Sequence, residues 1–114
     1  MSKLSACILT IVSFVLVTPA ASAVNGFTIV NQTGGALSAV ALRRVGDTTW
    51  QPVVAAPASG ASARANFKDN DCAFDLRGTV VGVGQVMWKG VNLCDVKSVT
   101  LNRDSSGRQW VDYD

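Results

Sequence analysis

From residue 24 onward, apolar and polar residues alternate over short runs, and Gly, Asn, Asp or Pro breaks each run after roughly eight to twelve positions. That rhythm predicts an all-β sandwich or barrel; helical periodicity is hard to find. Gly26 to Asn31 reads as a first strand. The glycines of Gln32-Thr33-Gly34-Gly35 can take positive φ in a tight turn, so Leu37 to Arg44 is expected to return antiparallel to it. Gly46-Asp47 is a second turn. Trp50 to Val54 follows as a short edge strand, because Pro52 has no backbone N–H to donate to a ladder.

Ala55 to Ala63, with Pro57, Gly60 and several Ala and Ser, is the most loop-like stretch. Ser62 to Phe67 is a further strand and Lys68-Asp69-Asn70-Asp71 the next turn. From Cys72 the alternation is cleanest: Cys72, Phe74, Leu76 and Gly78 share one side, and Ala73, Asp75, Arg77 and Thr79 share the other, predicted to be wet. Gly82 and Gly84 interrupt the chain. Gln85 to Val91 is a strand with Gly90 as its bulge, Val96 to Asn102 another, and Arg108 to Tyr113 the last. A helical turn over Asn92 to Asp95 would fit between them. These seven or eight short strands need two sheets to cover each other's apolar faces, which predicts a single antiparallel two-sheet sandwich over residues 24–114.

The first 23 residues have another pattern. Lys3 precedes an almost unbroken apolar run from Leu4 to Val17 that no charge interrupts, Pro19 ends it, and Ala21-Ser22-Ala23 has the small residues of a signal-peptidase site. Residues 1–23 are therefore expected to be a secretory signal peptide cut between Ala23 and Val24. The run is shorter than the roughly 20 residues of a membrane span, so no anchor is expected after cleavage. Cys7 lies ahead of the run and not at its end, which argues against a lipid-attachment cysteine.

Cleavage removes Lys3 and Cys7, leaving nine Lys plus Arg, eight Asp and two cysteines. Basic residues scattered singly or as Arg43-Arg44 give no footprint for nucleic acid or for an anionic membrane. In an oxidising compartment two cysteines have one connectivity, Cys72–Cys94. Their spacing is not that of a C-x-x-C redox pair.

His and Glu are absent from the chain. This removes Ser-His-Asp and Cys-His catalysis, His-based zinc sites and the usual neutral-pH base, so no enzyme activity and no cofactor is expected. Asp69, Asp71 and Asp75 are close enough in sequence for paired-carboxylate hydrolysis or half a calcium site. However, Asp69 and Asp71 flank a turn, where such side chains accept backbone N–H groups, and the run lacks an EF-hand's glycine and bidentate Glu. Gly82 and Gly84 lack the third glycine of a dinucleotide loop. Asn31-Gln32-Thr33 matches a glycosylation sequon. Trp50, Trp88, Trp110 and Tyr113 could form a stacking platform for a sugar or peptide, or pack the core; at least two of the tryptophans are expected to be covered. Trp110 and Tyr113 fall on opposite sides of the last strand, so one of them is expected outside.

Phe27-Thr28-Ile29-Val30-Asn31-Gln32-Thr33-Gly34, Cys72-Ala73-Phe74-Asp75-Leu76-Arg77, Val91-Asn92-Leu93-Cys94 and Val99-Thr100-Leu101, behind a signal peptide, resemble a group of small exported bacterial proteins of unknown function. The resemblance covers most of the mature chain. It implies a periplasmic or secreted setting, in which the sequon has no meaning, and carries over no functional residue. Two functions then fit. One is a non-catalytic binding or structural module that meets a protein or an envelope polymer through an edge strand, Trp50 to Val54 for example, or a loop. The other is an exported inhibitor of a lysozyme or protease, inserting the disulfide-braced turn of Lys68, Asp69 and Asp71.

Overall fold

A computed structural model of the chain describes residues 23–114; the leader expected over residues 1–23 lies, Ala23 apart, outside them. Eight strands follow: β1 (Val24–Gln32), β2 (Leu37–Arg44), β3 (Gln51–Pro52), β4 (Ser62–Asp69), β5 (Ala73–Val80), β6 (Gly84–Asn92), β7 (Ser98–Arg103) and β8 (Gln109–Tyr113). They form two four-stranded sheets, a first in the order β4-β1-β7-β8 and a second in the order β3-β2-β5-β6. This is the expected two-sheet sandwich. The β1–β7 pair is parallel and every other pair antiparallel.

Between the sheets lie Phe27 and Ile29 of β1, Leu42 of β2, Ala65 and Phe67 of β4, Phe74 and Leu76 of β5, Trp88 of β6, and Val99 and Leu101 of β7. Period-two alternation put most of them there. Phe67 and Phe74 meet edge to face across the gap, ring centres 5.3 Å apart, which suits the opposed charge of ring edge and ring face.

The expected β1–β2 hairpin is not formed. β2 belongs to the second sheet, and β1 pairs with β4 and β7 instead. The glycines do supply a turn, with Gly34 at φ 88°, but the four residues between the strands arch across the roughly 10 Å between stacked sheets. The Asn31 side chain holds that arch. Its Nδ2 donates to the carbonyls of Gly35, Pro57 and Ala58, and its Oδ1 accepts from the Thr33 N–H and hydroxyl. Asn31 is 0% exposed, so the sequon asparagine is a buried tie between sheets and offers no amide for a glycan.

Local irregularities aim particular side chains. In β6 the register slips between Phe74 and Leu76 of its partner, two residues of β6 lying opposite Asp75, and Gly90 takes φ 66°: the bulge predicted at Gly90. In β2 the register slips between Ser38 and Ala41, and here the residue at positive φ is an alanine, Ala39 at 50°. An L residue pays a Cβ clash there that glycine would not. The helical turn expected over Asn92–Asp95 is a plain turn ending on Asp95 at φ 60°.

Cys72 and Cys94 are joined, with Cα atoms 5.0 Å apart. Cys72 precedes β5 and Cys94 follows β6, so the bridge pins the ends of adjacent strands in one sheet. The Leu93 N–H donates to the Cys72 carbonyl beside it.

Candidate functional site

The turn nominated from the sequence is tied down. Asp69 receives two hydrogen bonds from the Arg44 guanidinium, the closer at 2.6 Å, and a third from the Asp71 N–H. Asp71 in turn accepts from the Cys72 N–H. The Arg44 hydrogen bond, supported by its charge and by the Asp71 N–H, holds the Asp69 carboxyl below the ordinary carboxylate range against the cost of burial. The same contact raises Arg44. Asp69 therefore ties β4 of one sheet to β2 of the other, Asp71 lies 3.9 Å from the same guanidinium, and Lys68 and Asp71 are exposed while the Asp69 carboxylate is largely covered. Among the described residues no group of three or more His, Cys, Asp or Glu is placed to hold a metal ion.

Asp75, expected on the wet face, does point out of the sandwich but is only 6% exposed. Its Oδ1 accepts from the Gly90 N–H, delivered by the bulge, and its Oδ2 accepts from Arg43 Nε at 3.0 Å. Alternation gave the side correctly and missed the cover, because that cover comes from neighbouring strands. Trp50 lies on the same face, with Arg43 and Arg77 stacked 4.5 and 4.2 Å from its ring centre.

Three of the four edge strands are blunted, each in its own way. β3 has two residues, one of them Pro52. β4 carries a register break opposite Gly26 and charged Arg64 and Lys68. β6 has its bulge and Lys89, and side chains from β8 already hold part of its outer backbone: Gln109 Nε2 donates to the Met87 carbonyl, and the Asn92 N–H donates to the Tyr113 hydroxyl. Such devices stop strangers pairing with an edge.

Where β6 and β8 come together the sandwich opens into a groove of about 500 Å³, walled by Met87, Trp88 and Lys89 on one side and by Gln109, Trp110 and Tyr113 on the other. Trp88 forms its floor, buried, with Nε1 donating to the Asn102 carbonyl of β7. Trp110 and Tyr113 are 40% and 48% exposed. The sequence reading expected one of this pair outside; both are, because the groove follows the margin of β8 and is reached from either side of that strand. Trp50 is half covered and Trp88 buried, as expected for two of the three tryptophans. Arg108 stacks over the Trp110 ring at 5.3 Å and is fixed by Asp104 at 3.2 Å. The Ser106 hydroxyl, followed by the Arg108 and Ser106 N–H groups, holds Asp104 below the usual carboxylate range.

Sequence reasoning found Trp110 and Tyr113 by residue type but missed Gln109 and Asn92, whose part depends on which strands neighbour each other. In comparison with known proteins the chain matches no family model, no curated protein and no solved structure.

Proposed function

We propose that this is a non-catalytic binding module of an exported, oxidising compartment, and that the groove between β6 and β8 seats a ring-bearing chain such as an envelope glycan. The disulfide is consistent with such a compartment. Residues 1–23, read as a signal peptide, support a periplasmic or secreted setting. The reading rests on one observation: two exposed aromatic rings share a groove with an exposed lysine, while Met87 O and Asn92 N, which an added peptide strand would use, are already bonded. Flat rings stack on sugar faces, and Lys89 supplies donors at the rim. A glycan needs those faces and none of the β6 ladder.

The test is a titration of the protein with a soluble N-acetylglucosamine oligomer, followed by tryptophan fluorescence. A saturable change is expected, and Trp110→Ala should weaken binding about tenfold, the size of one aromatic contact. Trp110→Ala and Tyr113→Ala variants that bind as well as the parent would remove the groove from consideration. The inhibitor reading has Lys68 and Asp71 as its exposed groups, and it would return if the protein suppressed a lysozyme or protease and Lys68→Ala abolished that suppression.

A further inference from the structure

The outer face of the second sheet carries a cluster that the glycan groove does not use. Arg43, Trp50, Asp75 and Arg77 meet there, on β2, β5 and the loop before β3. Their charges do not cancel. Asp75 is committed to Arg43 through one oxygen and to the Gly90 N–H through the other. Among the described residues Arg77 has no ion pair or side-chain hydrogen bond, and its one specific contact is the Trp50 ring, 4.2 Å away. Since no buried side-chain nitrogen or oxygen there lacks a partner, the N–H groups of Arg77 are open to water.

Next to this guanidinium is a hollow of about 400 Å³, lined by Ala39, Ala41, Trp50, Pro52, Val53 and Arg77. Two of its walls are alanines, and one of these is held at positive φ. Strained backbone of this kind collects at binding sites, and here the bulge brings a small side chain to the wall. The result is an apolar depression with one fixed, unpaired cation. A guanidinium immobilised by stacking keeps its planar fork oriented, so little freedom is lost when it takes a planar anion.

We propose that this hollow binds a carboxylate attached to a small apolar body, the carboxylate paired with Arg77 and the body lying against Trp50, Ala41 and Val53. Charge complementarity selects the anion. The hollow's size and apolar walls select what carries it. The site is separate from the β6–β8 groove, and neither needs the other.

The experiment follows the Arg77 Nε–H resonance of isotope-labelled protein during titration with N-acetylleucine, N-acetylleucine amide and inorganic phosphate. N-acetylleucine should give a saturable shift and the amide none. Arg77→Met should weaken binding about tenfold or more, the loss expected for a charged hydrogen bond. Arg77→Lys, which keeps the charge without the fork, should be intermediate. Ala41→Val fills the hollow, leaves the guanidinium in place and should also weaken binding, so a folding defect at Arg77 cannot stand in for the result. Tighter binding of a short leucine-ended peptide with a free carboxylate would make a chain end the source, and equal binding a free acid. No shift at Arg77 with N-acetylleucine, an equal shift with the amide, or a shift with phosphate alone would each overturn the proposal.

Discussion

The two ends of the sandwich are closed by different chemistry. At one end, where β1 leads into β2, a neutral amide buried at Asn31 gathers the carbonyls of Gly35, Pro57 and Ala58 with the N–H and hydroxyl of Thr33. At the other, where β4 leads into β5, the ties are the Cys72–Cys94 bond and the Arg44–Asp69 pair. A buried hydrogen-bond hub is intolerant of loss, since several hydrogen bonds go at once where water does not replace them. A disulfide acts largely on the unfolded chain, and an exposed ion pair is screened. The first end should therefore govern stability, and the second should respond to redox state and pH.

Asn31→Ala tests the hub. It removes five hydrogen bonds, at about 0.5–1.5 kcal/mol each, and leaves the Thr33 N–H without an acceptor, while the Pro57 and Ala58 carbonyls keep the N–H groups of Leu37 and Ala61; a loss of about 3–5 kcal/mol is expected in urea unfolding. A loss under about 1 kcal/mol would mean that water replaces the amide and that the ends do not differ in the way described. The bridge comes next. Closing a loop whose ends are 22 residues apart contributes about 3 kcal/mol in the chain-entropy treatment. Cys72→Ser with Cys94→Ser should lower the melting temperature without altering the groove, because both cysteines lie beyond the ends of β5 and β6.

How much of this was legible in the sequence divides along the same line. The disulfide was readable because two cysteines allow one pairing, and the eight strands because alternation is local. Asn31 stood out only as part of a sequon, and its structural part was not legible, since that motif is local and its partners, Pro57 and Ala58, lie 26 and 27 residues away. The β1–β2 arch failed for a related reason. Glycines announce a turn, but whether it returns in the same sheet depends on which strand takes the vacant edge of β1, and that place went to β4 and β7. The groove was half legible: residue type marked Trp110 and Tyr113, but no local signal puts β8 beside β6. Arg77 could have been singled out by its position two residues from Asp75 on the same face, but not its stacking on Trp50.

The amide-closed end also carries the strained Ala39, on the β2 strand that leaves it. Ala39→Gly removes a left-handed Cβ penalty of about 1–2 kcal/mol and adds a glycine entropy cost of about 0.5–1 kcal/mol. A net gain of about 0.5–1 kcal/mol is expected, read as a higher urea midpoint. A loss would show that the Ala39 methyl contributes packing at the hollow that outweighs its strain.

The smallest effect, acid opening of the two ends, separates them most cleanly. The Asp69 carboxyl is held below its unfolded value by Arg44 and by the Asp71 N–H, so the stability it contributes is fully present above about pH 4 and is lost as pH falls through the depressed folded value. Asn31 has no proton to gain over that range. Asp104, also depressed, sits at the Asn31 end but bonds only within the β7–β8 turn, to Ser106 and Arg108, and joins no sheets. Hydrogen exchange corrected for intrinsic rate should therefore show the Asp71 amide, bound to Asp69, losing protection as the solution is acidified, while the Thr33 amide, bound to Asn31, keeps its own. In Asp69→Asn the acid dependence at Asp71 should disappear. Equal acid sensitivity at both amides would mean that the ends open together, as one cooperative unit, whatever chemistry closes them.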